Sequence, residues 1–162
     1  MAVGAVDHDE LALLSFRAIE NPGSMDLEAF VHPEYRNWEA LGPPAELRGE
    51  AAFAISVANL NESFSELRFE VLDLIAEGDL VAARTVMHGR HTGPMRHLEA
   101  TGRPFAQSQS HWYRVRDGRL LEHWANRDDL GFLHQVGAAP AGRVGGAEAE
   151  QRYASVDSKV QR

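Results

Sequence analysis

The chain has 162 residues, which suits one domain built around a single hydrophobic core. Its formal net charge is −8 and no cluster of Lys and Arg stands out, so we expect no nucleic acid as a partner. It contains no Cys, which excludes disulfides, thiolate metal sites and cysteine nucleophiles.

Targeting and membrane segments are not apparent in the sequence. No apolar run approaches the roughly 18 residues that a membrane-spanning helix needs, and the first residues lack the basic and apolar regions of a signal peptide. An apolar fraction of 44% is ordinary for a globular protein. We therefore expect a cytoplasmic protein with no membrane partner.

The first predicted helix follows a capping pattern formed by Asp7 and Glu10. Its apolar face runs to Ile19 and ends before the sequence Asn-Pro-Gly at 21–23. A shorter helix is predicted after Ser24, ending at the proline of residues 32–33, and residues 35–44 are predicted to be an irregular connection.

The third predicted helix covers residues 49–64. Its apolar residues recur at spacings of four, three and four, which indicates one buried stripe. They are Phe53, Val57, Leu60 and Phe64.

Strands follow, because from Leu67 onward apolar and charged residues alternate with a period of two. Three further strands are predicted at residues 80–92, 105–116 and 119–128. The pair Asp117-Gly118 favours a type I′ turn, in which both central residues have positive φ, so the last two strands should pair antiparallel.

A last short helix is predicted at residues 130–136, starting near Asp129 and stopping at Gly137. Residues 138–162 contain almost no large apolar side chain, so we expect a flexible tail beyond a domain of residues 1–137. Three helices, four antiparallel strands and this last helix predict an α+β fold whose helices cover one face of the sheet. The uncovered face suggests a homodimer.

Several segments, in order and with matching spacing, resemble the SnoaL-like polyketide cyclase or ester cyclase family of the nuclear transport factor 2-like superfamily. They are FSELRF (64–69), EGDLVAAR (77–84), GRHTG (89–93), TGR (101–103), YRVRDGR (113–119), EHW (122–124) and LHQVG (133–137). The resemblance covers most of residues 9–137.

This resemblance implies a cone-shaped α+β barrel, with a curved antiparallel sheet wrapped around the N-terminal helices, an internal pocket and usually a homodimer. It also implies an intramolecular aldol ring closure, or a related isomerisation, of an apolar polyketide-like carbonyl compound, with no metal or cofactor. The same superfamily contains non-catalytic ligand-binding or dimerisation modules and epoxide hydrolases, which are the alternatives here.

Aldol closure needs a base, and a carboxylate in an apolar pocket serves because desolvation favours its protonated form. Asp128 matches the catalytic aspartate of the family, so we predict it as the base. The alternative is that Asp128 or Asp129 caps the last helix, and we assign the cap to Asp129. His111 is predicted as the assisting acid, although a lone strand histidine is more often structural.

Six further residues are predicted to bind substrate or to lie at the pocket. Trp124 and Asn126 share the strand face of Asp128, and Gln109 shares that of His111. The others are Asn37, His91 and Arg84, of which His91 is as well explained by bracing the following loop and Arg84 by a structural ion pair.

No metal site is predicted. His88 and His91 are three apart on a strand and point to opposite faces. No Gly-x-Ser-x-Gly or His-Glu-x-x-His motif is present either, which leaves acid–base chemistry in a pocket.

Overall fold

The computed structural model describes residues 7–39 and 43–139 of the chain. The predicted tail lies outside these residues, apart from its first two. The elements in chain order are α1 (His8–Glu20), a 3₁₀ turn (Leu27–Ala29), β1 (Val31–Asn37), α2 (Gly49–Ser63), β2 (Phe64–Glu77), β3 (Leu80–His91), β4 (Pro104–Arg116), β5 (Arg119–Arg127) and α3 (Asp129–Gln135). No helix within the described ranges is long and apolar enough to cross a bilayer.

Local sequence signals are confirmed at three places. The side chain of Asp7 accepts a hydrogen bond from the Asp9 amide and caps α1. Asp117 and Gly118 have φ of 51° and 69°, as a type I′ turn requires, and they join β4 to β5 antiparallel. Gly137, with φ of 76°, follows the end of α3.

The predicted helix after Ser24 and the irregular connection from residue 35 are wrong for residues 27–37. Only a 3₁₀ turn capped by Asp26 forms there, and the residues after it are strand β1, which runs parallel to β5. Leu27, Phe30 and Val31 have helix-like spacing, but Pro33 is tolerated in β1 because β1 is an edge strand and its register shifts between Val31 and Arg36. The described part of the chain therefore contains five strands rather than the four predicted.

The five strands form one curved, unclosed sheet in the order β1-β5-β4-β3-β2, with every pairing antiparallel except β1 with β5. Helices α1 and α2 pack on one side, called here the inner face, and α3 packs on β4. The opposite side is called the outer face. This arrangement confirms the predicted α+β class with a curved sheet around the N-terminal helices.

Two apolar clusters hold the layers together. The larger one joins α1, α2 and the inner face, and its most buried members include Leu11, Phe30, Tyr35 and Leu120. The smaller one joins α3 to the other end of the sheet through Phe64, Phe105, Phe132 and their neighbours. Between the helices and the middle of the sheet, the larger cluster leaves room for a hollow.

Candidate active site

The inner cavity is the hollow between the inner face and helices α1 and α2, and its volume is about 30 Å³. This is room for about one or two water molecules, so a larger ligand has to widen the hollow. The helix side and β2–β3 supply an apolar wall of Ile19, Phe53, Val57, Leu60, Phe69 and Met87. The other side is polar and is formed mainly by β4, β5 and the end of β1. The cavity thus combines an apolar surface with a compact set of polar groups.

Strand alternation selects the side chains that β4 contributes. Gln107, Gln109, His111 and Tyr113 are buried, while the residues between them are half-buried or exposed. In register, Tyr113 lies opposite His123, and Gln109 lies opposite Arg127. Residues directly opposite one another share a face of the sheet, so His123 and Arg127 of β5 also point inward.

A chain of hydrogen bonds runs along these inward side chains, and each member donates toward Asp129. It starts at Asp129, whose carboxylate accepts from Gln107 Nε2 at 3.0 Å. Gln109 Nε2 donates to Gln107 Oε1 at 2.9 Å, which leaves the carbonyl oxygen of Gln109 facing His111 Nε2 at 2.7 Å. Because an amide oxygen only accepts, Nε2 of His111 carries the hydrogen.

The same chain of hydrogen bonds determines which ring nitrogen carries hydrogen in His111 and in His123. His111 Nδ1 and His123 Nε2 are 3.0 Å apart. Since the hydrogen of neutral His111 is on Nε2, its Nδ1 accepts and His123 Nε2 donates. The orientation of the two imidazoles is therefore set by the carboxylate of Asp129 at the start of α3.

Both imidazoles are neutral at pH 7. Burial lowers the pKa of His111 well below its usual value, and His123 and Arg127 lower it further. Burial lowers the pKa of His123 to about 4, with Glu39 opposing and Arg127 reinforcing the shift. The pair thus offers uncharged donors and acceptors.

Three parallel rings stack at this wall. The centroids of Tyr113 and His123 are 4.7 Å apart, and those of His111 and His123 are 5.3 Å apart. The hydroxyl of Tyr113 lies 2.8 Å from Ser15 Oγ on α1, and burial raises the pKa of this tyrosine. The stack holds the imidazoles rigidly against the sheet.

An ion pair between Glu39 and Arg127 also lines the inner cavity. The side chains of Glu39 and Arg127 are 12% and 21% exposed, and the buried Oε1 of Glu39 contacts the guanidinium. The backbone amide of Glu39 donates to Asn37 Oδ1 at 3.1 Å, and Asn37 Nδ2 donates to Ser56 Oγ at 3.1 Å. Neither member of this pair, nor His123, was among the residues predicted from the sequence.

Among the residues predicted from sequence, His111, Gln109 and Asn37 line the inner cavity together. Trp124 and Asn126 do not, because they lie opposite Trp112 and Ser110 on the outer face. Their strand face therefore lies away from the inner cavity, and their role in binding substrate stays a prediction.

The physical reason is a β-bulge. The type I′ turn starts the hairpin in a register that would bring Trp124 opposite His111. The register shifts between Arg114 and Val115, where β5 has Leu121 as an extra residue. A shift of one residue exchanges the two faces of a strand, so His123 turns inward and Trp124 turns outward.

Asp128 caps α3, and its Oδ1 accepts from the Gly131 amide at 2.9 Å. It lies, with Arg84 and Asn126, at a second and more open hollow called here the outer groove. The cap is therefore Asp128 rather than Asp129, which instead binds Gln107. The catalytic role predicted for Asp128 stays a prediction, but the inner cavity lining described here does not include it.

Arg84 and His91 have other surroundings. Arg84 is exposed and forms an ion pair with Asp73 at 2.5 Å. His91 is fully buried beside Phe64 and Phe132, and its Nδ1 faces the hydroxyl of Thr101 at 3.2 Å. Its contacts brace the loop that follows β3.

Comparisons with known proteins agree with this architecture. Residues 10–136 match the family model described as SnoaL-like polyketide cyclase. The chain is 39% identical over 113 residues to aklanonic acid methyl ester cyclase DnrD of Streptomyces peucetius, covering 69% of this chain and 78% of the relative. It is 34% identical over 118 residues to nogalonic acid methyl ester cyclase of Streptomyces nogalater, covering 69% and 84%.

Among solved structures, TsrD from Streptomyces laurentii is similar with a TM-score of 0.70 and 28% identity, covering 80% of this chain and 93% of that one. The match to the family model spans most of the described residues and includes the five strands, α2, α3 and all of α1 except its first two residues. This chain belongs to the SnoaL-like polyketide cyclase family.

Proposed function

We propose that this chain closes a ring in a polyketide methyl ester by an intramolecular aldol reaction without a cofactor. The observation that carries the proposal is the inner cavity itself, where a buried pair of neutral imidazoles faces an apolar wall. Relatives that share more than a third of their aligned residues with this chain are named as methyl ester cyclases of aklanonic and nogalonic acid. These two esters are therefore the first substrates to test.

The reaction requires three events. A base removes a proton from a carbon next to a carbonyl group, the resulting enolate carbon bonds to a second carbonyl carbon, and the oxygen of that carbonyl takes up a proton. We propose that His111 assists by donating a hydrogen bond to the oxygen that gains charge, as predicted from the sequence. Its Nε2–H, which donates to Gln109 Oε1 in this structure, turns to the substrate oxygen when the substrate is bound. A buried neutral imidazole is a better donor for this purpose than water is, because the sheet holds it in place before the reaction.

The test uses purified protein and aklanonic acid methyl ester, with the cyclised product followed by liquid chromatography and mass spectrometry. The proposal predicts turnover by the wild type and a loss of about 100-fold in kcat for His111→Gln. His88→Gln is the matched control, because His88 lies on β3 and pairs with Glu70 away from the inner cavity. Binding of both esters without conversion of either would contradict the proposal and support a ligand-binding module.

We also propose that the chain forms a homodimer through its outer face. Trp112 is 41% exposed there and lies opposite Trp124, so two large aromatic side chains adjoin on a surface that α1 and α2 leave uncovered. Light scattering of the protein in solution should give twice the chain mass of 17.9 kDa, and Trp112→Lys should reduce it to that of one chain. A monomeric wild type would contradict this proposal.

A further inference from the structure

We infer that Glu39 is the base of the ring-closing reaction, with Arg127 as the counter-ion that balances its charge. The inference rests on the proposed function, because it names the group that takes the proton in that reaction. It departs from the sequence prediction, which gave this role to Asp128.

The location of Glu39 is the first argument. It is the acidic residue in the described lining of the inner cavity, which also contains the two imidazoles. It follows β1 directly, where the backbone amide of Trp38 donates to the His123 carbonyl at 2.9 Å and the Trp38 indole donates to Glu122 at 3.0 Å. The exposed Trp38 and the inward Glu39 thus lie on opposite sides of a chain segment that β5 holds in place.

The state of the carboxylate is the second argument. Its Oε1 is buried and contacts the Arg127 guanidinium, which compensates the charge. An ionised carboxylate has about four lone-pair sites on its two oxygens. The contact with Arg127 at one oxygen therefore leaves room for a proton that the substrate delivers.

The balance of charge is the third argument. When Glu39 takes the proton, the electrons of the broken C–H bond remain on the substrate as an enolate. The site then holds a neutral acid, an enolate and Arg127, so its net charge does not change. An enolate next to a fixed guanidinium avoids much of the cost of a new charge in an apolar cavity.

The remaining step closes the cycle. The enolate carbon forms the new C–C bond with the second carbonyl carbon, whose π electrons move to its oxygen. Glu39 returns its proton to that oxygen. The product is an isomer of the substrate, and the enzyme regains its starting state without any oxidant, reductant or water.

Asp128 is less suited to these steps. One of its oxygens accepts from the Gly131 amide in the cap of α3, and the carboxylate lies at the outer groove with Asn126. The described lining of the inner cavity, which includes the histidine pair, does not include Asp128.

The experiment compares carboxylate-to-amide substitutions with aklanonic acid methyl ester as the probe. Glu39→Gln should lower kcat by about 100-fold or more and leave KM within about threefold, since a base acts in the transition state. Glu70→Gln is the matched control, because Glu70 pairs with His88 outside the inner cavity at 26% side-chain exposure. It should keep wild-type kcat.

The variant Glu39→Asp tests the inference even if Glu39→Gln fails to fold. It keeps the charge that Arg127 needs but withdraws the carboxylate by one methylene, and a misplaced catalytic group commonly costs about 10- to 100-fold. We expect kcat for Glu39→Asp to fall in that range, with the thermal unfolding temperature close to that of the wild type. Wild-type kcat in both Glu39 variants would overturn the inference, and so would a rise in KM at unchanged kcat.

Two outcomes separate this inference from the proposed function. If the wild type converts the ester and Asp128→Asn loses kcat while Glu39→Gln does not, the base assignment fails and ring closure stands. If the wild type binds both methyl esters but converts neither, the proposed function itself fails.

Discussion

Nδ1 of His111 and Nε2 of His123 lie 3.0 Å apart, and their rings are nearly parallel, with an angle of 10° between the planes. These two residues lie on neighbouring strands and meet inside the cavity because the bulge in β5 turns His123 inward. Their burial and their mutual contact determine how the protein responds to acid. They also determine which nitrogen atoms carry hydrogen.

The first prediction concerns stability in acid. The pKa of His123 is about 4 in the folded protein against an ordinary 6.5, and that of His111 is also lowered, so the unfolded chain binds more protons between these values. The contribution of the two histidines to the free energy of unfolding should be fully present above about pH 6.5. It should decrease toward pH 4, with a slope of up to about 1.4 kcal/mol per pH unit for each histidine.

Urea unfolding at a series of pH values measures this slope. Burial also lowers the pKa of His91, so the wild-type slope contains more than the pair. The variant His111→Gln/His123→Gln should therefore have a shallower slope than the wild type. An unchanged slope in the double variant would show that the pair is not responsible.

The second prediction concerns the hydrogen-bond chain that starts at Asp129. In the wild type, His111 and His123 should both carry hydrogen on Nε2, which ¹⁵N NMR of the imidazoles detects directly. Asp129→Asn can donate as well as accept, so the chain through Gln107 and Gln109 can run in either direction. This variant should therefore populate the Nδ1–H form of His111.

If Asp129→Asn changes the free energy of unfolding but leaves the tautomers of His111 and His123 as in the wild type, Asp129 stabilises the fold without setting the direction of the chain. Finding His111 with hydrogen on Nδ1 in the wild type would contradict the direction assigned to the chain.

The third prediction concerns the cap of α3. Asp128→Ala should lower the free energy of unfolding by about 1 kcal/mol, because the Gly131 amide loses its acceptor. Asp128→Ser should lower it much less, since serine caps helices nearly as well. Denaturant unfolding of the three proteins measures the difference, and equal stability of the alanine variant would exclude the capping role.

The fourth prediction concerns the contact between the ring stack and α1. Tyr113→Phe removes the hydrogen bond to Ser15 Oγ and should cost about 0.5 to 1.5 kcal/mol of stability. The Ser15 hydroxyl retains its bond to the Ala12 carbonyl at 2.7 Å, so it is not left without a partner. A double-mutant cycle of Tyr113→Phe and Ser15→Ala measures the coupling energy between the two side chains, which should be favourable. A coupling energy near zero would contradict the prediction.

The features that sequence predicted well are encoded locally. The Asp117-Gly118 turn depends on two residues that tolerate positive φ, and the outcome follows from them alone. The alternation along β4 likewise placed Gln109 and His111 on one face. Neither inference needed knowledge of distant contacts.

The features that were missed depend on pairing between distant segments. Strand β1 exists because β5 offers it a parallel partner, which overrides the helix-like spacing before Pro33. The bulge at Leu121 has no turn residue to announce it, yet it decides that His123 rather than Trp124 enters the cavity. Glu39 gains its position only through these two strands.

A crystal structure of Glu39→Gln with aklanonic acid methyl ester tests the account most directly, since this variant should bind the ester and not convert it. We predict that the ester occupies the inner cavity, with an acidic carbon next to the side chain of residue 39 and a carbonyl oxygen near His111. An ester bound instead in the outer groove beside Asp128 and Asn126 would contradict the account.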